Sequence, residues 1–425
     1  MKRIVILGAG FGGLKTALTL ARKLKNAKLD RACEVVLVNE TDHHAYTPLF
    51  YEVATTSKET ASMFDLHNLA TVPLGFLIKG LPISLLKERV AGFDLLNREI
   101  YFKSLKSLEF DYLVLALGSE TNFYNIPGLA AHALTFKTFA DAIRIRDAIW
   151  TLAHERVPLI RIVIGGGGSA GVELAGELKA WCGELEKEVK QCRLSVAVIE
   201  RSPTILTGFA PKIVNLAHRR LARLGVTILE NREVRSLTAR EVFLDKDEKI
   251  PYDTFIWNGG TKAASVIENL SLKREPRGRL EVEPTMNCLP QTPELQLENR
   301  VYALGDIVSF LNPQTQRPVP GVARAALTEA KVAAVNIFAD IMAAENSKSA
   351  ANKISYQPRE YPYIIPIGGK YAIAKIGPFI LSGFIAWVAK ELVELFYLLS
   401  VMRPLPALAT WFHGLKIFAE NDRLG

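Results

Sequence analysis

The sequence is poor in the side chains that build redox or metal centres by themselves. Its 425 residues hold four cysteines, Cys33, Cys182, Cys192 and Cys288. None forms a C-x-x-C pair, and no Cys/His cluster has zinc spacing. Four scattered thiols suit a reducing compartment or plain packing. His43 and His44 are adjacent but lack a nearby carboxylate–histidine cluster, so no metal role is expected. Long apolar runs are also missing. The longest uncharged one near the end, Ile376 to Ala389, falls short of the roughly 20 residues that cross a bilayer. Lys2 and Arg3 precede an apolar run, but glycines break it and no small-residue cleavage site follows, so a secretory leader is not expected. Low-complexity tracts are absent, with 49% hydrophobic and 23% charged residues. Disorder is thereby disfavoured, and the length suffices for two or three domains. A net charge of +8 favours anionic partners without choosing among nucleotides, lipid headgroups and nucleic acid, and equally fits an unspecialised basic surface.

Glycine, in contrast, is concentrated. "RIVIL" at residues 3–7 is short, β-branched and continuous, the pattern of a buried parallel strand. The turn Gly8-Ala-Gly10-Phe11-Gly12-Gly13 follows as G-x-G-x-x-G, and "LKTALTLARKLK" continues as a helix. Gly8 permits the tight turn, Gly10 lets backbone approach a pyrophosphate, and Gly13 allows close helix–strand packing. The anion then rests on the helix N-terminus, against free N–H groups and the dipole. A second strand, "EVVLVNE", should end at an acceptor for a ribose hydroxyl, and either Asn39 or Glu40 can serve.

The pattern recurs in "RIVIGGGGSAGVELAGEL", where Gly166, Gly168 and Gly171, with Ala170 between them, repeat the fingerprint. Its second strand ends at Glu200. A carboxylate there accepts from a ribose 2′-hydroxyl and repels a 2′-phosphate, which favours NADH over NADPH; Arg201, next along, works the other way. Two cradles imply two dinucleotides. "FDYLVLALGSETNFYNIPGL" leads from one unit to the next through Ala116 and Gly118, and "RVYALGDIVSF" delivers Asp306 after Gly305, where an acid can bind a flavin's ribityl chain.

In this order the motifs resemble the two-dinucleotide-binding flavoprotein superfamily, over about residues 1–335. The resemblance implies an α/β fold of two Rossmann-like domains, the first holding FAD and discontinuous, the second holding NADH and inserted. Boundaries are expected at 1–115 and 265–340 for the FAD domain, 116–264 for the NAD(P)H domain and 355–425 for a C-terminal region. Within the superfamily, "HHAYTPLFYEVAT", "YDTFIWNGGTKAA" and the tail "GGKYAIAKIGPFILSGFIAWVAKELVELFYLLSVMRP" resemble type II NADH dehydrogenases. That family moves electrons from NADH through FAD to a membrane quinone without pumping protons. Disulfide reductases need a paired cysteine couple, and sulfide oxidation needs a thiol after Cys288; this chain has neither. A ferredoxin or rubredoxin reductase would share the cradles. So would a nucleic-acid-binding flavoprotein of the apoptosis-inducing type, but no Arg/Lys stripe with interleaved aromatics supports nucleic-acid binding.

The resemblance also assigns site residues. Glu173, in the family's G-x-E pattern, is the candidate for steering the nicotinamide, unless it is a first-turn glutamate favoured by the helix dipole; Glu177 is the alternative. The quinone-side motif departs from the family's, because its glutamines become Arg324, Thr328 and Glu329. Arg324 can donate to a quinone carbonyl or pair with Glu329. Lys370, in "GGKYA", can stabilise a quinol oxyanion or be a solvated turn lysine. His43, His44 and Tyr46 are expected to shape the flavin pocket. Two tail helices, roughly Trp387–Met402 and Ala407–Ala419, look amphipathic. Lys390, Glu391 and Glu394 mark the polar side of the first, and Leu408, Trp411, Phe412, Leu415 and Phe418 stripe the second. Such helices can lie in a bilayer interface or bury themselves in a dimer. The expectation is thus a homodimeric peripheral membrane protein on the cytoplasmic face of the cell membrane, acting on NADH and a quinone.

Overall fold

The structure, a computed structural model, describes residues 1–104, 107–155, 157–189, 193–345 and 351–420. The strands that matter here are, in chain order, β1 (Lys2–Leu7), β2 (Cys33–Asn39), β3 (Ile83–Lys87), β4 (Tyr112–Leu115), β5 (Leu134–Thr135), β6 (Leu159–Gly165), β7 (Arg193–Ile199), β8 (Val226–Leu229), β9 (Thr254–Trp257), β10 (Val301–Ala303), β11 (Tyr363–Pro366), β12 (Ala372–Ile376) and β13 (Phe379–Gly383). The helices are α1 (Phe11–Asn26), α2 (Phe50–Ala54), α3 (Met63–Ala70), α4 (Phe139–His154), α5 (Ser169–Glu188), α6 (Pro211–Leu224), α7 (Ala323–Glu345), α8 (Phe384–Val401) and α9 (Pro404–Glu420).

Two compact units divide the chain. The first comprises Met1–His44, Val72–Glu120 and Thr261–Tyr361. Its five-stranded sheet runs β10-β4-β1-β2-β3 with every pairing parallel. Ile4, Val5, Ile6 and Leu7 are all buried, as expected of a strand covered on both faces. α1 follows β1 through the glycine turn and packs along α7.

The second unit comprises Ala45–Thr71, Thr121–Gly260 and Pro362–Gly425. Its parallel sheet, β5-β9-β6-β7-β8, repeats the strand arrangement of the first. Leu7 pairs with Val38 in one sheet and Gly165 with Ile199 in the other, so both glycine turns leave a central strand at the same register. The antiparallel strands β11, β12 and β13 then lead into α8 and α9. Pro404 cannot continue α8 and instead opens α9, where its missing N–H leaves nothing unpaired.

Beyond shifts of a few residues at 116–120 and 261–264 and an extension of the first unit to Tyr361, the units differ from the expected ones in two larger respects. Residues 45–71 group with the second cradle rather than the first, and so does the tail, which was expected to stand apart. The cause is packing: α2 lies against α4 and α5, and β11 lies against α5. α8 is tied to α2 by an ion pair from Lys390 Nζ to Glu52 Oε1 at 2.7 Å.

Candidate functional site

The first cradle is built by backbone. Gly8 sits at φ +96° with its Cα against the Ala116 carbonyl, and a side chain there would collide with that oxygen. A Cβ on Gly13 would run into the Gly8 carbonyl, and one on Gly12 into Leu304. Gly10, which caps α1, faces open space instead. That is where a pyrophosphate would need room. Asn39 Oδ1 accepts from the Ala9 N–H at 2.9 Å, and its amide donates to Thr41 O. Glu40 is exposed and pairs with Arg89 at 3.3 Å. Of the two residues left open by sequence, Asn39 reaches the turn.

Three further groups converge in this unit. Ser119 Oγ donates to Asp306 Oδ2 at 2.7 Å, one residue beyond Gly118. Asp306 lies in a short turn, Gly305–Ile307, whose Gly305 N–H donates to Glu329 Oε2 at 2.7 Å. Burial pushes Glu329 up to about 7 against the pull of that N–H. Glu329 is therefore spent on the Asp306 turn, while Arg324 is exposed in the first turn of α7. His44 is buried with Nδ1 2.8 Å from the Ala9 carbonyl and its ring edge-on to Phe11. Burial lowers its pKa to about 4, so it is a neutral imidazole.

The second cradle repeats the first. Gly166 has φ +113°. A Cβ on Gly171 would strike the Gly166 carbonyl, while Gly168, capping α5, faces open space. Glu200 occupies the place that Asn39 holds in the first. Its Oε2 accepts from Gly167 N–H at 2.8 Å and its Oε1 from Ser202 N–H at 2.7 Å, each oxygen retaining a lone pair for a ribose hydroxyl. Arg201 is exposed and reaches only 3.9 Å from Glu233. Ala170 lies in the first turn of α5. Both cradles thus have what a dinucleotide demands: open backbone N–H groups at a helix start and an acceptor at the neighbouring strand end.

Glu173, half-buried in the first turns of α5, is pushed up to about 8 by desolvation, the Lys390 charge working the other way. Lys370 ends the Gly368–Gly369 turn. Arg220 of α6 fixes that turn by donating to Ile367 O at 3.0 Å and Gly368 O at 2.6 Å, and it stacks on Tyr371. Gly176 of α5 lets the turn come close, since a Cβ there would lie 2.9 Å from Gly368 N. Tyr46 stacks on Tyr397 at 5.2 Å within the second unit. Cys33 and Cys288 are buried and desolvation raises both thiols; Cys182 is half-buried, and Cys192 lies outside the described residues. Among the described residues no His/Cys/Asp/Glu group could hold a metal.

The largest departure from the sequence reading is α8. The side expected to face water is buried, with Lys390, Glu391 and Glu394 at 9%, 6% and 5% exposure. Lys390 Nζ lies 2.7 Å from Glu52, 3.0 Å from Glu391 and 3.8 Å from Glu394, and the Tyr51 hydroxyl donates to Glu52 at 2.9 Å. Burial works against the ammonium, but the carboxylates outweigh it and hold the Lys390 pKa well above its usual range. Burial in turn raises Glu391, and pushes Glu394 up to about 8. The opposite face carries Phe384, Ile385, Val388, Leu392, Val393, Phe396 and Leu399, all exposed. The expected stripe of α9 also splits. Trp411 Nε1 donates to Glu391 O and Phe418 packs on Trp387, while Phe412 points outward. No helix among the described residues is long and apolar enough to cross a membrane.

The family model of the pyridine nucleotide-disulphide oxidoreductases matches residues 2–330. The chain is 29% identical to the demethylphylloquinone reductase NdbB of Synechocystis sp. over 98% of this chain and 94% of that one. It is 26% identical to the type II NADH:quinone oxidoreductase Ndh of Mycobacterium tuberculosis, over 96% and 87% of the two chains. In fold it resembles the NDH2 of Plasmodium falciparum solved with NADH, at a TM-score of 0.81 and 18% identity over 100% of this chain and 99% of that one. It also resembles the sulfide:quinone oxidoreductase of Aquifex aeolicus, at a TM-score of 0.74 and 18% identity over 95% and 92%.

Proposed function

The chain belongs to the pyridine nucleotide-disulphide oxidoreductase family, and we propose that within it the protein is an FAD-dependent NADH:quinone oxidoreductase. The observation that carries this reading is the duplicated cradle, one closed by a neutral Asn39 and one by an anionic Glu200, combined with α8 turned apolar side out. The first cradle would hold FAD, with Gly8, Gly10, Phe11, Gly12 and Gly13 at the pyrophosphate, Asn39 at the adenosine ribose, and Ala116, Gly118 and Asp306 toward the flavin end. Bound there, FAD supplies hydride acceptance and two-electron delivery to the acceptor. The second cradle would bind NADH, with Gly166, Gly168, Ala170 and Gly171 at the pyrophosphate.

Glu200 would accept from the NADH 2′-hydroxyl, and its charge would disfavour a 2′-phosphate. Glu173 would orient the nicotinamide as a protonated, neutral acid, since its pKa of about 8 lies above neutral pH. Arg324 is proposed as a donor to a quinone carbonyl, and Lys370, separately, as a cation that stabilises a quinol oxyanion. A lipid-soluble acceptor needs a protein that touches lipid. The outward face of α8 and the tip of β12–β13, where Phe379 is exposed, would lie in the headgroup region, giving a peripheral protein on the cytoplasmic face. A homodimer is proposed alongside it.

Stopped-flow absorbance of the purified protein tests the reading. NADH should bleach bound flavin, and an anaerobic second mix with menadione should restore it. Bleaching without recovery would remove quinone as the acceptor, and absence of bound flavin would remove the first assignment.

A further inference from the structure

The ring about Lys390 holds more acid than docking a helix requires. One buried Lys–Glu pair would fasten α8 to α2. Here Glu52, Glu391 and Glu394 crowd a single ammonium at 2.7, 3.0 and 3.8 Å, all of them buried. Were every group ionised, three negative charges would face one positive charge in a medium that screens poorly. The ring relieves this by keeping protons. It also extends beyond itself: Tyr51 donates to Glu52 at 2.9 Å, the Lys390 charge is felt at Glu173 on α5, and the Glu177 charge is felt at Tyr51. The groups that meet the ring are thus Tyr51 of α2, Glu173 and Glu177 of α5, and Tyr46, which is stacked on Tyr397 of α8. α9 presents the Trp411 indole and Gly414, where a Cβ would lie 3.9 Å from Glu394 Oε1.

We propose that this ring is a proton-loading site, which lends the proton that quinone reduction consumes and refills from solvent. The inference rests on the quinone-reductase reading. The reaction NADH + H⁺ + quinone → NAD⁺ + hydroquinone takes two electrons and one proton's worth of hydrogen from NADH, and the second proton must come from solution. The loaded ring supplies it at once. The O–H bond of the Glu394 carboxyl breaks, a new O–H bond forms on the reduced acceptor by transfer through the neighbouring ring groups, and the carboxylate left behind is held by Lys390 until water reprotonates it. The surplus carboxyls, a defect in a mere fastener, are what such a store requires.

Acceptors that differ in proton demand separate storage from fastening. Menadione takes up protons on reduction, whereas ferricyanide takes only electrons. In the flavin-loaded protein Glu394→Gln keeps the shape of the side chain and removes its titration. The ratio of menadione to ferricyanide turnover should fall at least about ten-fold in this variant, and Glu394→Asp should restore part of it. An unchanged ratio, whether both rates drop together or neither does, would overturn the proposal and leave the ring as a fastener. Glu391→Gln serves as the second variant if the first fails to fold. A wild-type protein that reduces ferricyanide but not menadione would sink the quinone reading itself, a result distinct from an unchanged ratio.

Discussion

At Gly10 and Gly168 a methyl group would meet open space, whereas at Gly13 and Gly171 it would run into the carbonyl of the first glycine of the same turn. The fingerprint therefore contains two kinds of glycine, one serving the ligand and one serving the fold, and substitution tells them apart. Gly10→Ala should fold with its melting temperature nearly unchanged and lose bound flavin. Gly13→Ala should melt well below wild type, because helix and strand must separate to admit the new carbon. Thermal melts and the flavin content of purified protein read both; equal melting temperatures would contradict the division. Glu200 carries a comparable double duty. Glu200→Ala leaves the Gly167 and Ser202 N–H groups without their acceptor, a loss of about 1–3 kcal/mol for a buried donor. It also removes the charge that repels a 2′-phosphate. The KM for NADH should rise about ten-fold, and the ratio of kcat/KM for NADH over NADPH should shrink. A ratio unchanged in steady-state assays would detach Glu200 from nucleotide choice.

Helix α8 shows what sequence can and cannot disclose. Its length and amphipathic character were legible, since period and propensity are local. Which side turns inward was not, because three charges on one stripe look the same whether they meet water or meet Glu52 some 338 positions away. The glycine turns were legible for the opposite reason: their spacing answers to backbone sterics within a few residues. Asn39 and Glu40 fall between these cases, as adjacent strand residues point to opposite faces and only the register with β1 selects Asn39. The two faces of α8 should respond differently to mutation. Val393→Glu with Phe396→Glu alters exposed positions, so melting should change little while co-sedimentation with anionic vesicles is lost. Lys390→Met spares that face but leaves the buried acids Glu52, Glu391 and Glu394 without the cation they share. It should cost about 3–5 kcal/mol and leave vesicle binding of the folded fraction intact. Vesicle binding that survives the double glutamate variant would assign the exposed face to something other than lipid.

For the whole molecule these buried groups set a pH profile opposite in sense to that of ordinary surface carboxylates. Glu394 and Glu173 rise from 4.5 to about 8 in the folded chain, and Glu329 to about 7. A carboxyl with a raised pKa binds its proton more tightly when folded, so its contribution is fully present below the unfolded value and is lost as pH climbs through the folded one. His44 works from the other side. Its pKa falls from 6.5 to about 4, so its contribution is present above 6.5 and is lost as pH falls toward 4. Three carboxyls outweigh one histidine wherever both kinds titrate, so maximum stability should lie at about pH 4–5, below neutrality despite a net charge of +8. Glu394 and Glu173 both feel the Lys390 charge, so their titrations appear as broad limbs rather than single steps. Melting temperatures measured across that range and on to about pH 9 should decline on the alkaline side in wild type. The decline should be shallower in Glu394→Gln, whose amide has no proton to lose. Stability that instead rises steadily through neutrality would mean the carboxyls around Lys390 are ionised in the folded chain. The proton store inferred from their crowding would then be empty at the pH where the enzyme works.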